Sequence, residues 1–416
     1  MTDASQPRSA RGKMLPAGIL ATALIALLAF APLASATPDP VGGGTTTVNL
    51  SNKLTKYLKT FGIKVQKQGS AKVKGNKATF KNVEGSMDPT NGIGTVKLGG
   101  GLSFNAKMGK KTKKGVVTAM VLNTNKKEIQ AKVGGKKMKF ATIAGWNYSR
   151  DGFGVKVTIK SLKITGNAAR QLNKKTGYPK GTPKPFIGGF VIGKGNSEVE
   201  PSTVAVIATG NSTLTLSAAA LQKLSTVGPD IGGGTYPFAV KLGLVDPAKV
   251  TAAGPPPTVA FPITGGTMSP NADAGVLQHS GGLTLTQDLE AIGPTTGGVT
   301  TLTMGNIWVD LGTKQASVEV TVTNTSTNEA FKGLNLGNLG RASIADISLT
   351  GATVNIDPAT RTVSIQNAAA TLQAVTAETL NQVFISPVEA ITKAGPYPKF
   401  AAGDALGTFS TVAQTQ

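Results

Sequence analysis

Two stretches of the chain decide its fold because they repeat one another. The first reads GSMDPTNGIGTVKLGGGLSF over residues 85–104, and the second reads GTMSPNADAGVLQHSGGLTL over residues 266–285. They align without gaps, and Phe80 matches Phe261 in the same register. Matched Met, Pro and Leu residues in one register are hard to obtain by chance. The chain is therefore predicted to contain two diverged copies of one unit.

Shorter matches bracket this pair on both sides. TVNLS at 47–51, leading to LKTFG at 58–62, resembles TLTLS at 213–217, leading to LSTVG at 224–228. The two members of each of these matches are separated by fewer residues than the two members of the main pair. The second copy must therefore contain an insertion between its first helix and its main repeated stretch, and the Gly- and Pro-rich stretch 229–257 is visible there. Farther on, AARQLN at 168–173 echoes AETLN at 377–381, and a Tyr-Pro-Lys tract follows each, at 178–180 and at 397–399. The predicted modules are residues 45–200 and 211–410.

The composition and local patterns predict a mainly β fold. Charged residues make up 15% and aromatic residues 5% of the chain, and 52 Gly and 23 Pro supply many turns. Apolar residues alternate in GVKVTIK at 154–160 and VTVT at 320–323, the period of half-buried antiparallel strands. Ser51 and Ser217 are suitable N-caps for short helices. We expect two tandem β-barrel or β-sandwich modules with short helices near the start and end of each.

Several chemistries are excluded by composition. The chain has no Cys, so neither disulfides nor thiolate metal sites can form, and its one His, His279, rules out a multi-histidine metal site. No nucleophile elbow, zinc-protease motif, phosphate loop or dinucleotide fingerprint occurs. The first module offers few carboxylates for a glycosidase pair. We therefore expect a protein that is not an enzyme and has no metal site.

The N-terminus resembles a targeting signal. Arg8, Arg11 and Lys13 precede an apolar run over residues 15–33, and the small residues 34–36 provide a cleavage site. Residues 1–36 are therefore predicted to be a signal peptide, removed near Ala36, so that the mature protein is secreted or at the cell surface. The alternative is a retained membrane anchor, because the run approaches the length that spans a bilayer. No transmembrane segment is expected in the mature chain.

Charge is unevenly distributed along the chain. Residues 51–200 hold 31 Lys or Arg against 6 Asp or Glu, whereas residues 201–416 hold 9 against 13. The basic first module is expected to attract an acidic partner, such as an anionic wall polymer, an anionic lipid or the carboxylates of a porphyrin. Nucleic acid is not expected, because few aromatic residues are available for base stacking. The alternative is a solvated lysine surface that only keeps the protein soluble.

The repeated segments also carry a family resemblance. The pattern Gly-x-Val-x-x-x-Gly-Gly-Leu, preceded by Phe-x-x-x-x-Gly and a short helix, resembles the HtaA-domain family of exported Gram-positive haem-uptake proteins. Its carriers are residues 94–104 with Phe80 and Gly85, and residues 275–285 with Phe261 and Gly266. The sharp part of the resemblance is confined to these short segments, one in each copy.

The resemblance implies a β-rich module that binds haem through an axial Tyr on the first helix, assisted by a His beside the Gly-Gly turn. Tyr57 matches this Tyr by position, and His279 matches this His approximately. The chain departs from the family pattern, because the Trp-Gly and Ser-Phe residues around the Tyr are missing. In addition, Tyr57 corresponds to Lys223 in the second copy and His279 to Leu98 in the first, so neither copy holds both ligands.

A haem site needs an axial donor, an apolar slot and a cation for the propionates. The first module supplies Tyr57 with Lys53 and Lys56 nearby. The alternatives are that Tyr57 is an ordinary half-buried helix residue and that His279 is a strand residue satisfied by a neighbour. Two functions stay open: a secreted or envelope HtaA-like protein that binds haem, and a structural or adhesive envelope protein that binds anionic wall polymer or lipid.

Overall fold

The computed structural model describes residues 38–178, 183–290, 297–328, 331 and 333–416, which form two antiparallel sheets. The strands of the first sheet are β1 (Asp39–Leu50), β2 (Ile63–Gln68), β3 (Lys72–Lys74), β4 (Lys77–Met87), β5 (Gly94–Met108), β6 (Lys111–Asn123), β7 (Glu128–Val133), β8 (Lys136–Ile143), β9 (Trp146–Asp151), β10 (Gly154–Ile164) and β11 (Val191–Pro201).

The strands of the second sheet are β12 (Val204–Ala205), β13 (Asn211–Leu216), β14 (Lys241–Val245), β15 (Lys249–Ala252), β16 (Thr258–Met268), β17 (Gly275–His279), β18 (Gly282–Asp288), β19 (Val299–Asp310), β20 (Gln315–Asn324), β21 (Gly337–Ser348), β22 (Thr353–Asp357), β23 (Thr362–Leu372) and β24 (Ala405–Gln414). The helices are α1 (Asn52–Thr60), α2 (Gly166–Thr176), α3 (Ala218–Ser225), α4 (Ala374–Leu380) and α5 (Ser386–Thr392), with a π-helical turn (Asn381–Ile385) joining the last two.

Each sheet closes on itself into a barrel. In the first barrel the strand order is β5-β6-β7-β8-β10-β11-β1-β4, and the pairing of β4 with β5 completes the ring. In the second barrel the order is β16-β13-β24-β23-β21-β20-β19-β17, and β17 pairs with β16. Closure leaves few unpaired edges. The predicted mainly β class, with two tandem modules and short helices, is confirmed.

The matched residues of the two copies occupy equivalent places. Phe80 lies opposite Thr46 of β1, and Phe261 lies opposite Ser212 of β13. Both aromatic rings are buried in the interior of their barrels. Thr46 and Ser212 correspond through the match that begins each copy, 47–51 with 213–217. The two phenylalanines correspond through the main pair of repeated stretches. Both matches therefore identify neighbouring strands of one architecture, and the predicted duplication has a structural counterpart.

The insertion in the second copy also has a structural counterpart. Leu102 lies between β2 and β6, and Leu283 lies between β14 and β19, so the two leucines hold the same position. The extra residues fall between α3 and β14, over 226–240, and between β15 and β16. Each barrel thus keeps its helix, two added strands and ring in the same order, and the insertion lies in the connections.

The hairpin that closes each ring requires glycine on the approaching strand. Gly85 has a φ of +135°, and a Cβ built there would lie 2.0 Å from Thr95 O. Gly266 has a φ of +123°, and its Cβ would lie 2.0 Å from Val276 O. No side chain fits such a contact, because the obstacle is backbone on the paired strand. The glycines of the repeated sequence are therefore required for closure.

The predicted signal peptide, residues 1–36, lies outside the described residues. Over the part of the chain that the structure describes, no helix combines the length and the apolar character needed to cross a membrane.

Replacing the closing glycine tests its role. Gly85→Ala is expected to lower the free energy of unfolding of the first barrel by at least about 2 kcal/mol, because the new Cβ adds a backbone clash to an unfavourable φ. Gly166→Ala is the matched control, since its Cβ would meet nothing within 4 Å and its backbone is ordinary. Urea denaturation measures both, and equal midpoints for the two variants would contradict the requirement.

Candidate functional site

Tyr57 lies on α1, a helix with one buried and one exposed face. Leu54 and Leu58 are buried against the first barrel, whereas Lys53 and Lys56 are exposed. Tyr57 is half-buried between these faces, and its hydroxyl donates to Lys184 O at 3.2 Å. The structure therefore brings three of the predicted site residues, Tyr57, Lys53 and Lys56, to one end of the first barrel.

Tyr57 belongs to a cluster of four half-buried rings, called here the aromatic cluster: Tyr57, Phe61, Tyr178 and Phe190. The Tyr57 ring stacks on Phe190 at a centroid distance of 5.8 Å and meets Phe61 edge to face at 5.2 Å. Phe61 meets Tyr178 edge to face at 5.5 Å, and the Tyr178 hydroxyl donates to Phe61 O at 2.8 Å. The cluster combines apolar ring faces with two phenol hydroxyls, each of which donates to a backbone carbonyl.

The corresponding position of the second barrel carries a cation. Lys223 on α3 donates to Lys399 O at 2.9 Å and forms an ion pair of 2.6 Å with Asp404. Its ammonium also lies 5.6 Å from the centre of the Phe400 ring. The hydrogen bond from Lys223 lowers the pKa of Asp404. In both barrels this helix position ties the helix to a backbone carbonyl of the segment before the last strand, but the second has no phenol there.

His279 lies in the interior of the second barrel, 2% exposed, apart from Tyr57. Its Nδ1 is 3.0 Å from Ile307 O and its Nε2 is 2.7 Å from Ser212 Oγ. A carbonyl can only accept, so Nδ1 carries the proton of the neutral ring, and Nε2 accepts from the Ser212 hydroxyl. Both nitrogens are therefore occupied, as expected for a histidine satisfied by its neighbours.

Burial lowers the pKa of His279 to about 4, although the Nδ1 contact with Ile307 opposes this shift. The ring is consequently neutral at physiological pH. Among the described residues, no carboxylate lies close enough to raise the pKa of the ring. The imidazole is a structural polar group of the core at neutral pH.

Each barrel buries a pair of hydroxyl groups on the same two neighbouring strands. Thr46 Oγ1 lies 2.7 Å from Ser197 Oγ in the first barrel, and Ser212 Oγ lies 2.7 Å from Thr411 Oγ1 in the second. All four residues are buried, at 2% exposure or less. A buried hydroxyl requires partners, so each hydroxyl pair must be satisfied by a further polar group.

In each barrel the hydroxyl pair is satisfied by one residue of a cross-strand pair in the closing hairpin, but the two barrels use opposite members of that pair. In the first barrel Asn82 faces Leu98 across the closing hairpin, and Asn82 Oδ1 accepts from Thr46 at 2.7 Å. In the second barrel the corresponding residues are Ile263 and His279, and the polar member is now on the other strand. The polar and the apolar residue have exchanged strands between the two barrels. Each interior therefore keeps one polar partner for its hydroxyl pair.

A cavity of about 110 Å³ occupies the interior of the second barrel beside His279. Apolar side chains dominate its lining, and no charged residue is among them. Ligand pockets for drug-sized molecules measure about 300–1,000 Å³, so this cavity is too small for a porphyrin. It also offers no cation for propionates. The second barrel interior therefore does not suit haem.

Ten exposed lysines of the first barrel gather at one end, called here the lysine end. Its members come from the β5–β6 hairpin, the β7–β8 hairpin and the last turn of α2: Lys107, Lys110, Lys111, Lys113, Lys114, Lys132, Lys136, Lys137, Lys174 and Lys175. These three elements meet, because Gly134 lies against the Lys175 side chain and Gly177 lies against Lys113. Within the described residues, none of these lysines forms a salt bridge.

The α1 helix with Tyr57 belongs to the same end, since Lys107 N donates to Gly62 O just beyond the helix. Strand directions place the carboxylates of the first barrel at the other end, in turns and strand ends such as Asp88, Asp151 and Glu200. There Phe153 packs into a core cluster of the second barrel. The first barrel is therefore polarised, because the lysine end and most of its carboxylates lie at opposite ends.

Candidate ligands for other groups are sparse. Among the described residues, no cluster of three or more His, Cys, Asp or Glu side chains could hold a metal ion. The residues that could hold a cofactor are those of α1 and the aromatic cluster. Sequence reasoning missed Phe190 and the role of Tyr178 in this cluster, because both are far from Tyr57 in the chain and carry no local signal.

Comparison with known proteins gives similarity only at the level of structures. No protein-family model matches the chain, and no curated protein matches it. From Corynebacterium glutamicum, the heme binding protein HtaB is 15% identical and covers 51% of this chain and 95% of its own, with a TM-score of 0.31. The C-terminal domain of HtaA is 14% identical, covering 50% and 98%, with a TM-score of 0.32.

The N-terminal domain of HtaA from the same organism is also 14% identical and covers 50% of this chain and 99% of its own, with a TM-score of 0.29. The two HtaA domains carry the name of the family that the sequence resembles.

The buried neutral His279 makes stability depend on pH. Its pKa is about 4 in the folded chain and near 6.5 when unfolded, so the unfolded chain binds the proton first as pH falls. The contribution is present above pH 6.5 and is lost between pH 6.5 and pH 4, amounting to about 3 kcal/mol. Since the chain has one histidine, its NMR titration reports this pKa directly.

The matched variant transfers the first barrel's arrangement, Asn and Leu, into the second. Ile263→Asn combined with His279→Leu is expected to fold and to lose about 3 kcal/mol less than the parent chain between pH 6.5 and pH 4. Denaturation at several pH values measures the difference. An identical loss in both proteins would show that His279 is not the source.

Proposed function

We propose that this chain is an exported binding protein, not an enzyme, and that its first barrel binds haem at the lysine end with Tyr57 as the axial ligand. The observation that carries the proposal is the position of Tyr57: a half-buried phenol within an aromatic cluster, on a helix whose exposed side chains are lysines. A tyrosinate oxygen is an established axial ligand of haem iron.

The residues present suit each part of such a ligand. The Tyr57 hydroxyl is held by one contact, to Lys184 O at 3.2 Å, which can be exchanged for a bond to a metal. The rings of Phe61 and Phe190 offer an apolar face for the porphyrin. Lys53 and Lys56 are exposed within one helical turn of Tyr57 and provide cations for the propionates. His279 lies in the other barrel and takes no part in the proposed site.

Export and modular organisation are part of this proposal. The basic, apolar and small-residue segments of positions 1–36 support a signal peptide and a secreted or cell-surface location. The change from the first sheet to the second between Pro201 and Val204 supports modules near 45–200 and 211–410. The lack of catalytic motifs supports a binding role.

A second function is favoured by the segregation of charge. The lysine end presents ten exposed ammonium groups without carboxylate partners among the described residues, a surface suited to an anionic wall polymer or lipid. Such binding is long-ranged and weakened by salt, whereas haem coordination through Tyr57 is not. The two functions therefore respond to different variants and conditions.

Hemin titration followed by absorbance tests the first function. The parent chain is expected to give a saturable Soret shift, and Tyr57→Phe is expected to lower the affinity at least tenfold because the axial oxygen is removed. Tyr148→Phe is the matched control, since Tyr148 is an exposed phenol at the opposite end whose hydroxyl also contacts a backbone carbonyl, Thr90 O. Equal binding by the parent and Tyr57→Phe would refute the proposed ligand.

Paired lysine variants test the second function. Lys110→Gln with Lys111→Gln is expected to weaken binding to long-chain polyphosphate or to anionic vesicles several-fold and to reduce its salt dependence. Lys126→Gln with Lys127→Gln removes the same charge from the β6–β7 turn at the opposite end and is expected to leave binding nearly unchanged. If both pairs weaken binding equally, the lysine end is not the binding surface.

A further inference from the structure

The cavity of the second barrel is lined by strands and by two short helices. Its walls include Leu283, Met304 and Phe261 from the strands, Ala220 and Leu221 from α3, and further residues from α4. At about 110 Å³ it is several times larger than the space that one water molecule needs. A space of this size in a barrel interior is a defect of packing unless something occupies it.

His279 and Ser212, two of the polar residues in the cavity lining, have partners of their own, and the surface that faces the cavity is apolar. His279 uses both ring nitrogens, for Ile307 O and Ser212 Oγ, and Ser212 also contacts Thr411. Neither group is left to hold water or a polar ligand, and apolar cavities of this kind stay dry. The absence of charged side chains from the lining also excludes a carboxylate or an amine. The site therefore selects an uncharged, apolar molecule.

The first barrel shows how the same architecture can fill this space. Leu54 and Phe104 occupy the positions that Ala220 and Leu285 hold in the second barrel, and both are buried, at 5% and 1% exposure. Phe104 meets Phe186 edge to face at a centroid distance of 5.2 Å. Both smaller residues, Ala220 and Leu285, line the cavity. The cavity thus lies where the second copy has smaller side chains, Ala220 and Leu285, than the corresponding residues of the first copy.

The helix that covers the cavity is less firmly packed than its counterpart. Leu224 is the buried residue of α3, whereas α1 buries both Leu54 and Leu58. The position of Leu54 is taken in α3 by Ala220, which is only half-buried. Opening of α3 therefore exposes less apolar surface than opening of α1 would.

We infer that the second barrel is a binding site for a small, uncharged hydrocarbon group of about the size of benzene. An apolar cavity of about 150 Å³ binds benzene or xenon, so a cavity of about 110 Å³ accommodates a ligand of this class or slightly smaller. This site is separate from Tyr57 and the lysine end, and it takes a ligand of opposite character, without charge and without coordinating groups.

Binding of xenon and benzene to the full chain tests the inference. Both are expected to perturb the methyl NMR signals of cavity leucines saturably, and benzene is expected to raise the unfolding temperature of the second barrel. Benzoate has the same ring with a carboxylate and is expected to do neither. No saturable effect of xenon or benzene, or an equal effect of benzoate, would overturn the inference.

Two filling variants use side chains that the first barrel already accommodates. Leu285→Phe is expected to abolish binding of benzene and xenon, because the added ring occupies the cavity. Ala220→Leu is a second, independent filling variant that must also weaken binding, and it decides the question if Leu285→Phe does not fold. Unchanged binding in a folded filling variant would refute the site.

Tyr57→Phe separates this inference from the proposed haem site. That variant is expected to bind benzene as the parent chain does, because its substitution lies in the first barrel. A chain that loses hemin binding but keeps benzene binding supports both proposals, and a chain that never binds benzene refutes only this one.

Discussion

Each barrel depends on one backbone contact, the close approach of the two strands that complete the ring. At Gly85 and Gly266 the carbonyl oxygen of the paired strand occupies the space where any other residue would carry its side chain. This last pairing joins the two ends of the strand order and turns an open sheet into a ring. The interior, the helices that cover its end and the surfaces they present all follow from that closure.

The two copies share this architecture but differ in which strand carries the polar residue of the interior. The hydroxyl pair of each interior is satisfied by Asn82 in one barrel and by His279 in the other, from opposite members of the same cross-strand position. A buried polar group without a partner costs about 1–3 kcal/mol, so the partner can change strand but cannot be omitted. The volume of the interior is less strictly maintained, because Phe104 has a smaller counterpart in Leu285 and a cavity results. Hydrogen-bonding requirements thus constrain these interiors more tightly than packing does.

Much of the fold could be predicted from the sequence because its strongest signal comes from the closing hairpin. Both copies contain the glycines that ring closure requires, together with Met, Pro and Leu in the same register. These shared residues identify equivalent strands. The sites were harder to predict, because they combine distant segments. Tyr57 was identified by resemblance, but Phe190 joins it only through the fold. The uneven charge could be counted from the sequence, yet whether distant lysines share one end of a barrel depends on strand order, which one sequence does not show.

The polarisation of the first barrel gives that barrel a permanent dipole moment, with its positive pole at the lysine end. Near a negatively charged surface such a dipole experiences a torque before any contact forms, within roughly 10 Å at moderate ionic strength. The protein would arrive already oriented, with Tyr57 and its helix directed toward the surface and the second barrel held away from it. Arrival in one orientation increases the fraction of encounters that are productive, even where the final contact itself is weak.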